Sequence, residues 1–72
     1  MTKKLSIPKA SIEWIVARMH VSESDEYVKT DIRHRCTTNG WTEKSIVQAE
    51  VYAVKCHRKN QELYRAVMSG KL

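Results

Sequence analysis

Two short segments of the chain bring together side chains that bind metals or attack electrophiles, His34-x-Cys36 and the adjacent pair Cys56-His57. Thiolate sulfur and imidazole nitrogen are ligands of structural zinc, which takes four of them in a tetrahedron. The spacing inside each segment works against that use. On a helix of 3.6 residues per turn, positions two apart point about 200° from each other and adjacent ones diverge by about 100°. Neither segment then presents both of its ligands to one ion. The same residues include the parts of a Cys–His nucleophilic pair. That chemistry needs an exposed thiolate, an oriented base and donors for an oxyanion, and no glycine-rich loop or neighbouring acid accompanies either cysteine. Cys36 and Cys56 are read as small core residues. The expectation is a protein that is not an enzyme and carries no metal or other cofactor.

A third cluster, Glu23, Asp25 and Glu26, has the residue types of a paired-carboxylate site. Acids at the start of a helix are favoured by its dipole, and that is the simpler account of all three.

The basic residues carry a different chemistry. Lys and Arg number 13 against 8 Asp and Glu, a formal charge of +5. The balance is uneven, because residues 23–31 hold Glu23, Asp25, Glu26 and Asp31 against Lys29 alone, whereas residues 32–72 are strongly basic. Such a surface suits phosphate, or is merely solvated. Lys55, His57, Arg58 and Lys59, with Arg33 and Arg35, form one candidate phosphate-binding group. Cys36, Gly40 and Ile46 form a second pattern: a small residue, a turn glycine and an aliphatic residue at the spacing of a helix–turn–helix. Trp41 and Ala49 fit inward positions of that motif, and Thr42, Glu43, Lys44, Val47 and Gln48 would begin its recognition helix. Thr42 and Gln48 have the hydrogen-bonding groups to read base edges, and Lys44 suits a phosphate. Arg35 and Asn39 depart from the motif, since they stand where apolar packing is expected.

Three helices must position these groups. Ser6 is a candidate cap for the first, with Pro8 in its first turn and residues 1–5 a flexible basic arm before it. Ile12, Ile15, Val16 and Met19 follow at helical spacing, which predicts a helix over about 7–19. Trp14 is expected to anchor the core, with a cost of about 3–5 kcal/mol on truncation to alanine. Ser22-x-x-Asp25 reads as a capping box for a second helix over about 23–37, with Val28, Ile32 and Cys36 as its apolar stripe and Arg33, His34 and Arg35 in its last turn. Asn39-Gly40 stops it. Thr42 then caps a third helix over about 42–69, stapled by Trp41 and Ile46. Its core stripe reads Ile46, Ala49, Ala53, Cys56, Leu63 or Tyr64, and Val67, with a second row at Val47, Val51 and Val54. The polar run from His57 to Glu62 interrupts the stripe, so there the helix protrudes, bends or meets a partner.

The expected architecture is a single all-α domain over residues 1–72, a small three-helix bundle with a long C-terminal helix whose second and third helices are helix–turn–helix-like. At 42% hydrophobic residues the chain is too apolar for a disordered segment. No apolar run approaches the roughly 18 residues that span a bilayer, and Met1 to Ile7 lack the apolar stretch of a secretory signal. Two cysteines in such a chain suit a reducing cytoplasm. The leading functional expectation is a small basic accessory or regulatory protein that binds nucleic acid, duplex DNA above all. The alternative is a protein-interaction module, an adaptor or inhibitor that works through the long helix, with a homodimer as one form of it. DNA binding requires the basic residues of the second and third helices on one face with the acids turned away. Interaction requires an exposed apolar patch around Tyr52, Leu63 or Val67.

Overall fold

Ser24 starts the second helix with its own side chain. Its Oγ accepts the Tyr27 N–H at 3.1 Å, satisfying one of the amide donors that a helix leaves unpaired at its start. The structure is a computed structural model that describes residues 7–70. It contains three helices, α1 (Lys9–Ala17), α2 (Asp25–Thr38) and α3 (Glu43–Met68). The α2 cap falls at Ser24 and not at Ser22, which is turned to His20 instead. Its N–H donates to His20 Nδ1 at 3.1 Å and its hydroxyl lies 2.7 Å from the same nitrogen. With the cap at Ser24, Asp25 and Glu26 occupy the first turn, where the dipole favours them.

α3 begins in the same way, with Thr42 Oγ1 accepting the Ser45 N–H at 3.3 Å. α1 has no side-chain cap. The Pro8 carbonyl receives the Ser11 and Ile12 N–H groups, so Pro8 stands just before the helix and not within its first turn. The expected Ser6 cap and the basic arm over residues 1–5 lie outside the described residues. Between α2 and α3, Gly40 adopts φ 82°, a left-handed conformation that costs glycine nothing. There the Gly40 N–H donates to Thr37 O and the Trp41 N–H donates to Cys36 O, both at 3.1 Å. This pair of bonds is the Schellman closure of a helix end.

The two longer helices form a hairpin. Arg33 bonds Glu50, and eight residues earlier on α2 Asp25 bonds Arg58, eight residues later on α3. The helices therefore run antiparallel along the whole of α2. The Cys36–Gly40–Ile46 spacing is realised here as a helical hairpin, whereas the second helix of a helix–turn–helix crosses its partner at about 90–120°. α1 lies against α3 in the same direction, with Ile12 and Lys9 near Ala49 and Tyr52, and Ala17 near Cys56 and Asn60. α1 and α2 barely meet, and α3 is the spine against which both pack.

The core is Ile7, Ile12 and Val16 from the first segment, Val28, Ile32 and Cys36 from α2, and Ile46, Ala49, Ala53 and Val54 from α3. Trp41 packs against it from the turn. Trp14 does not belong to it: the ring is 61% exposed, with the Arg18 guanidinium 4.7 Å from its centroid. Trp14 is two positions from the buried Ile12 and two from the buried Val16, a half-turn either way, so α1 cannot bury all three. Trp14→Ala is accordingly expected to cost less than about 1 kcal/mol in denaturant titration, in contrast to the anchor role its size suggests.

The stripe on α3 also changes along its length. Ile46, Ala49 and Ala53 are buried as expected, and Val54 joins them, but Val47 and Val51 are exposed and Cys56 is half-buried. Leu63, Tyr64 and Val67, expected in the core, are exposed. The reason is length. α3 has 26 residues, about 39 Å at 1.5 Å per residue, and its packing partners end before it does. The long axis of the molecule measures 49 Å against 19 and 15 Å across.

Candidate functional site

His57 lies one turn before the end of the covered part of α3. It is 1% exposed, and its Nε2–H donates to the Glu23 carbonyl at 2.8 Å. One turn later, Gln61 Nε2 donates to the Val21 carbonyl at 2.7 Å. The two nitrogens approach to 3.3 Å. With its Nε2 proton committed to Glu23, the ring has no lone pair there for the amide, so this approach is packing. Two polar side chains on the core face of α3 thus satisfy two carbonyls of the segment joining α1 to α2, groups that would be costly to leave unpaired if buried. The polar run His57–Glu62 reads in sequence only as an interruption of the stripe. Its role depends on which backbone groups the connecting segment presents, and no pattern of residue types reveals that.

Beyond Gln61 the apolar side chains of α3 are largely exposed. Leu63, Tyr64, Val67 and Met68 are 50, 49, 57 and 69% exposed. By helical spacing they continue the face that packs against α1 and α2 further up the helix. An apolar recess of about 420 Å³ leads into this face from the end of α1, with Ala17, Cys56 and Leu63 among its walls and Lys55 and Lys59 at its edge.

The candidate nucleic-acid residues fall into two groups. The three arginines are held by carboxylates. Arg33 donates to Glu43 at 2.8 and 2.9 Å and to Glu50 at 3.0 and 3.1 Å, Arg35 to Asp31 at 2.9 Å, and Arg58 to Asp25 at 2.5 Å. Their types and spacing group Arg33 and Arg35 with the phosphate-binding and last-turn residues. Arg33 instead ties α2 to α3, and Arg35 is the one basic group in the last turn of α2. Lys44, Lys55 and Lys59 are exposed on α3 and form no ion pair among the described residues. Thr42 is occupied as a cap and also bonds Ser45 Oγ at 3.1 Å. Gln48 lies on the outer side of α3 beside a small crevice toward α1. Lys29, Lys55, Arg58 and Lys59 border a shallow depression together with Glu62. The acids are therefore interleaved with the basic groups of α2, while the outer side of α3 carries lysines.

The thiols and acids of the sequence patterns find structural places. Burial pushes the Cys36 thiol up, away from the thiolate that reactivity requires, and His34 is exposed while Cys36 is buried. Among the described residues no three or more His, Cys, Asp or Glu side chains are grouped so as to hold a metal. Across α1 and α3, the Tyr52 hydroxyl donates to the Glu13 carboxylate, a bond that holds the phenol above its usual range, and Lys9 lies 5.4 Å from the same ring.

The ion pairs make a pH signature. The Arg58 hydrogen bond lowers the Asp25 pKa and the Arg33 hydrogen bond lowers that of Glu43. Their contribution to stability is present in full above the unfolded pKa values, about 3.9 and 4.3, and is lost as pH falls through the lower folded values. Thermal melts should show a Tm that is flat down to about pH 5 and falls below it. The double variant Arg33→Gln, Arg58→Gln should flatten that acid limb. An unchanged limb in the variant would show that other carboxyls set it.

Comparison of the chain with protein-family models, with curated proteins and with solved structures gives no match.

Proposed function

We propose that this protein is a protein-interaction module that docks a partner on the exposed C-terminal part of α3. The observation that carries this reading is the run Leu63, Tyr64, Val67 and Met68, which continues the core face past the last packing partner. Contiguous exposed apolar surface of this kind marks interaction sites, and an apolar helix face is a recurring recognition element. No helix of the structure is long and apolar enough to cross a membrane among the described residues.

Nucleic-acid binding is the second reading, supported by Lys44, Lys55 and Lys59 on the outer side of α3. Those three ammonium groups, each neutralising one phosphate, would give a slope of log affinity against log salt of about −2.7. Arg33, Arg35 and Arg58 weigh against it, because each already serves a carboxylate.

The experiment is a paired one. Intact protein and the Leu63→Glu, Val67→Glu variant are compared for retention of a defined protein from an extract of the source cells, with and without nuclease. Each is also titrated with a 20-base-pair duplex at low salt. The interaction reading expects retention that survives nuclease, is lost in the variant, and is accompanied by little DNA binding. Salt-dependent DNA binding that ignores the variant but falls on Lys44→Glu would replace it with the second reading.

A further inference from the structure

The apolar end of α3 is charged asymmetrically. Lys59 stands one turn before Leu63 and Lys55 one turn earlier still, while Arg65 lies on the far edge of the apolar face. None of the three forms an ion pair among the described residues. Lys55 and Lys59 also border the recess of about 420 Å³ whose apolar walls are Ala17, Cys56 and Leu63. Glu13 borders the same recess and accepts the Tyr52 hydroxyl, so two ammonium groups stand at the rim against one carboxylate. Within residues 61–70 the single acid is Glu62.

We propose that this surface takes an amphipathic helix of a partner protein whose polar face is acidic. Its apolar side chains rest on Leu63, Tyr64, Val67 and Met68, one of them entering the recess, and its carboxylates meet Lys55, Lys59 and Arg65. The proposal rests on the docking reading above and adds the partner's chemistry to it. Charge complementarity selects the occupant. A second copy brings the same basic end, with Glu62 its single acid within residues 61–70, on a chain of net charge +5, and like net charge opposes association. A nucleic-acid duplex would offer phosphates to the lysines but little that matches four exposed apolar side chains. An acidic amphipathic helix satisfies both halves of the surface at once. Rim charges of this kind chiefly set the encounter rate and the choice of partner, while the central apolar side chains hold the complex.

The test uses the full chain and three synthetic helical peptides with one leucine stripe and a polar face of Glu, Gln or Lys, read by fluorescence anisotropy. The Glu peptide should bind about tenfold more tightly than the Gln peptide, and the Lys peptide most weakly. The preference should shrink as salt screens it. Lys55→Glu, Lys59→Glu should reverse the order, and Val67→Glu should weaken every peptide by at least about thirtyfold, with circular dichroism confirming that both variants remain helical. Equal binding of the three peptides would overturn the acidic partner and leave the docking surface standing. No binding of any peptide by a monomeric chain would overturn both. A mass that doubles with concentration and is reset by Val67→Glu would make a second copy the occupant and overturn the proposal. Displacement of the Glu peptide by duplex DNA at the same residues would overturn it in favour of nucleic acid.

Discussion

Ile32→Ala should lose about 2–5 kcal/mol of stability, enough to unfold much of the protein at 37 °C. Ile32 is 0% exposed, at the middle of the α2 stripe between Val28 and Cys36. Removing three carbons there leaves a void bounded by a hairpin whose ion pairs fix the helix spacing, so collapse into the void is resisted. A domain of 72 residues has a total stability of about 4–11 kcal/mol, which makes this one change a large fraction of it. In a domain of this size each kcal/mol moves Tm by about 4–8 °C, so a fall of more than about 8 °C is expected. Leu63→Ala, at a site 50% exposed, is the matched control and should move Tm by only a few degrees. If the two variants melt together, the division of α3 into a packed part and an uncovered part is wrong.

The second large effect is on binding and not on folding. A chain ending at Glu62 keeps His57 and Gln61, whose bonds to Glu23 and Val21 close the bundle. It loses Leu63, Tyr64, Val67 and Met68 together. Its Tm should stay within about 5 °C of the intact chain, because the deleted side chains are exposed and loss of exposed groups costs little. Binding of the acidic amphipathic peptide should fall below detection, because such interfaces draw most of their energy from a few central apolar residues. A chain cut after Asn60 is expected to melt earlier than one cut after Glu62, since it leaves the Val21 carbonyl without Gln61. Equal melting of the two would remove Gln61 from the account.

Much of the fold is legible in residue types because it follows from local rules. Thr42 and Asn39-Gly40 signal a helix start and stop through capping and left-handed backbone, and the α2 stripe through Val28, Ile32 and Cys36 needs only a helical period. Ser22 and Ser24 defeat the same reasoning, since both are serines with an acid close after them and only the geometry of the preceding turn chooses between them. Trp14 misleads because its size suggests an anchor while its phase does not: it sits a half-turn from Ile12 and Val16, and the helix obeys phase. The pairing of Arg33 with Glu43 and Glu50 is invisible locally, because it depends on the register of the hairpin. For that reason a group that looks like free positive charge in sequence is engaged in the fold. The uncovered end of α3 was half legible. A polar run and a stripe longer than the other helices announce that the helix protrudes, bends or meets a partner. Deciding that it protrudes needs the lengths of α1 and α2 and the place where they stop.

The central claim, that the C-terminal end of α3 is the docking surface, is tested most directly by backbone amide chemical shifts of the intact protein titrated with the Glu-faced peptide. Shifts are expected in residues 55–68 and at Ala17 beside the recess, with Lys44, Gln48 and the α2 stripe unmoved. Shifts centred on Lys44 and Gln48, or none at saturating peptide, would contradict it.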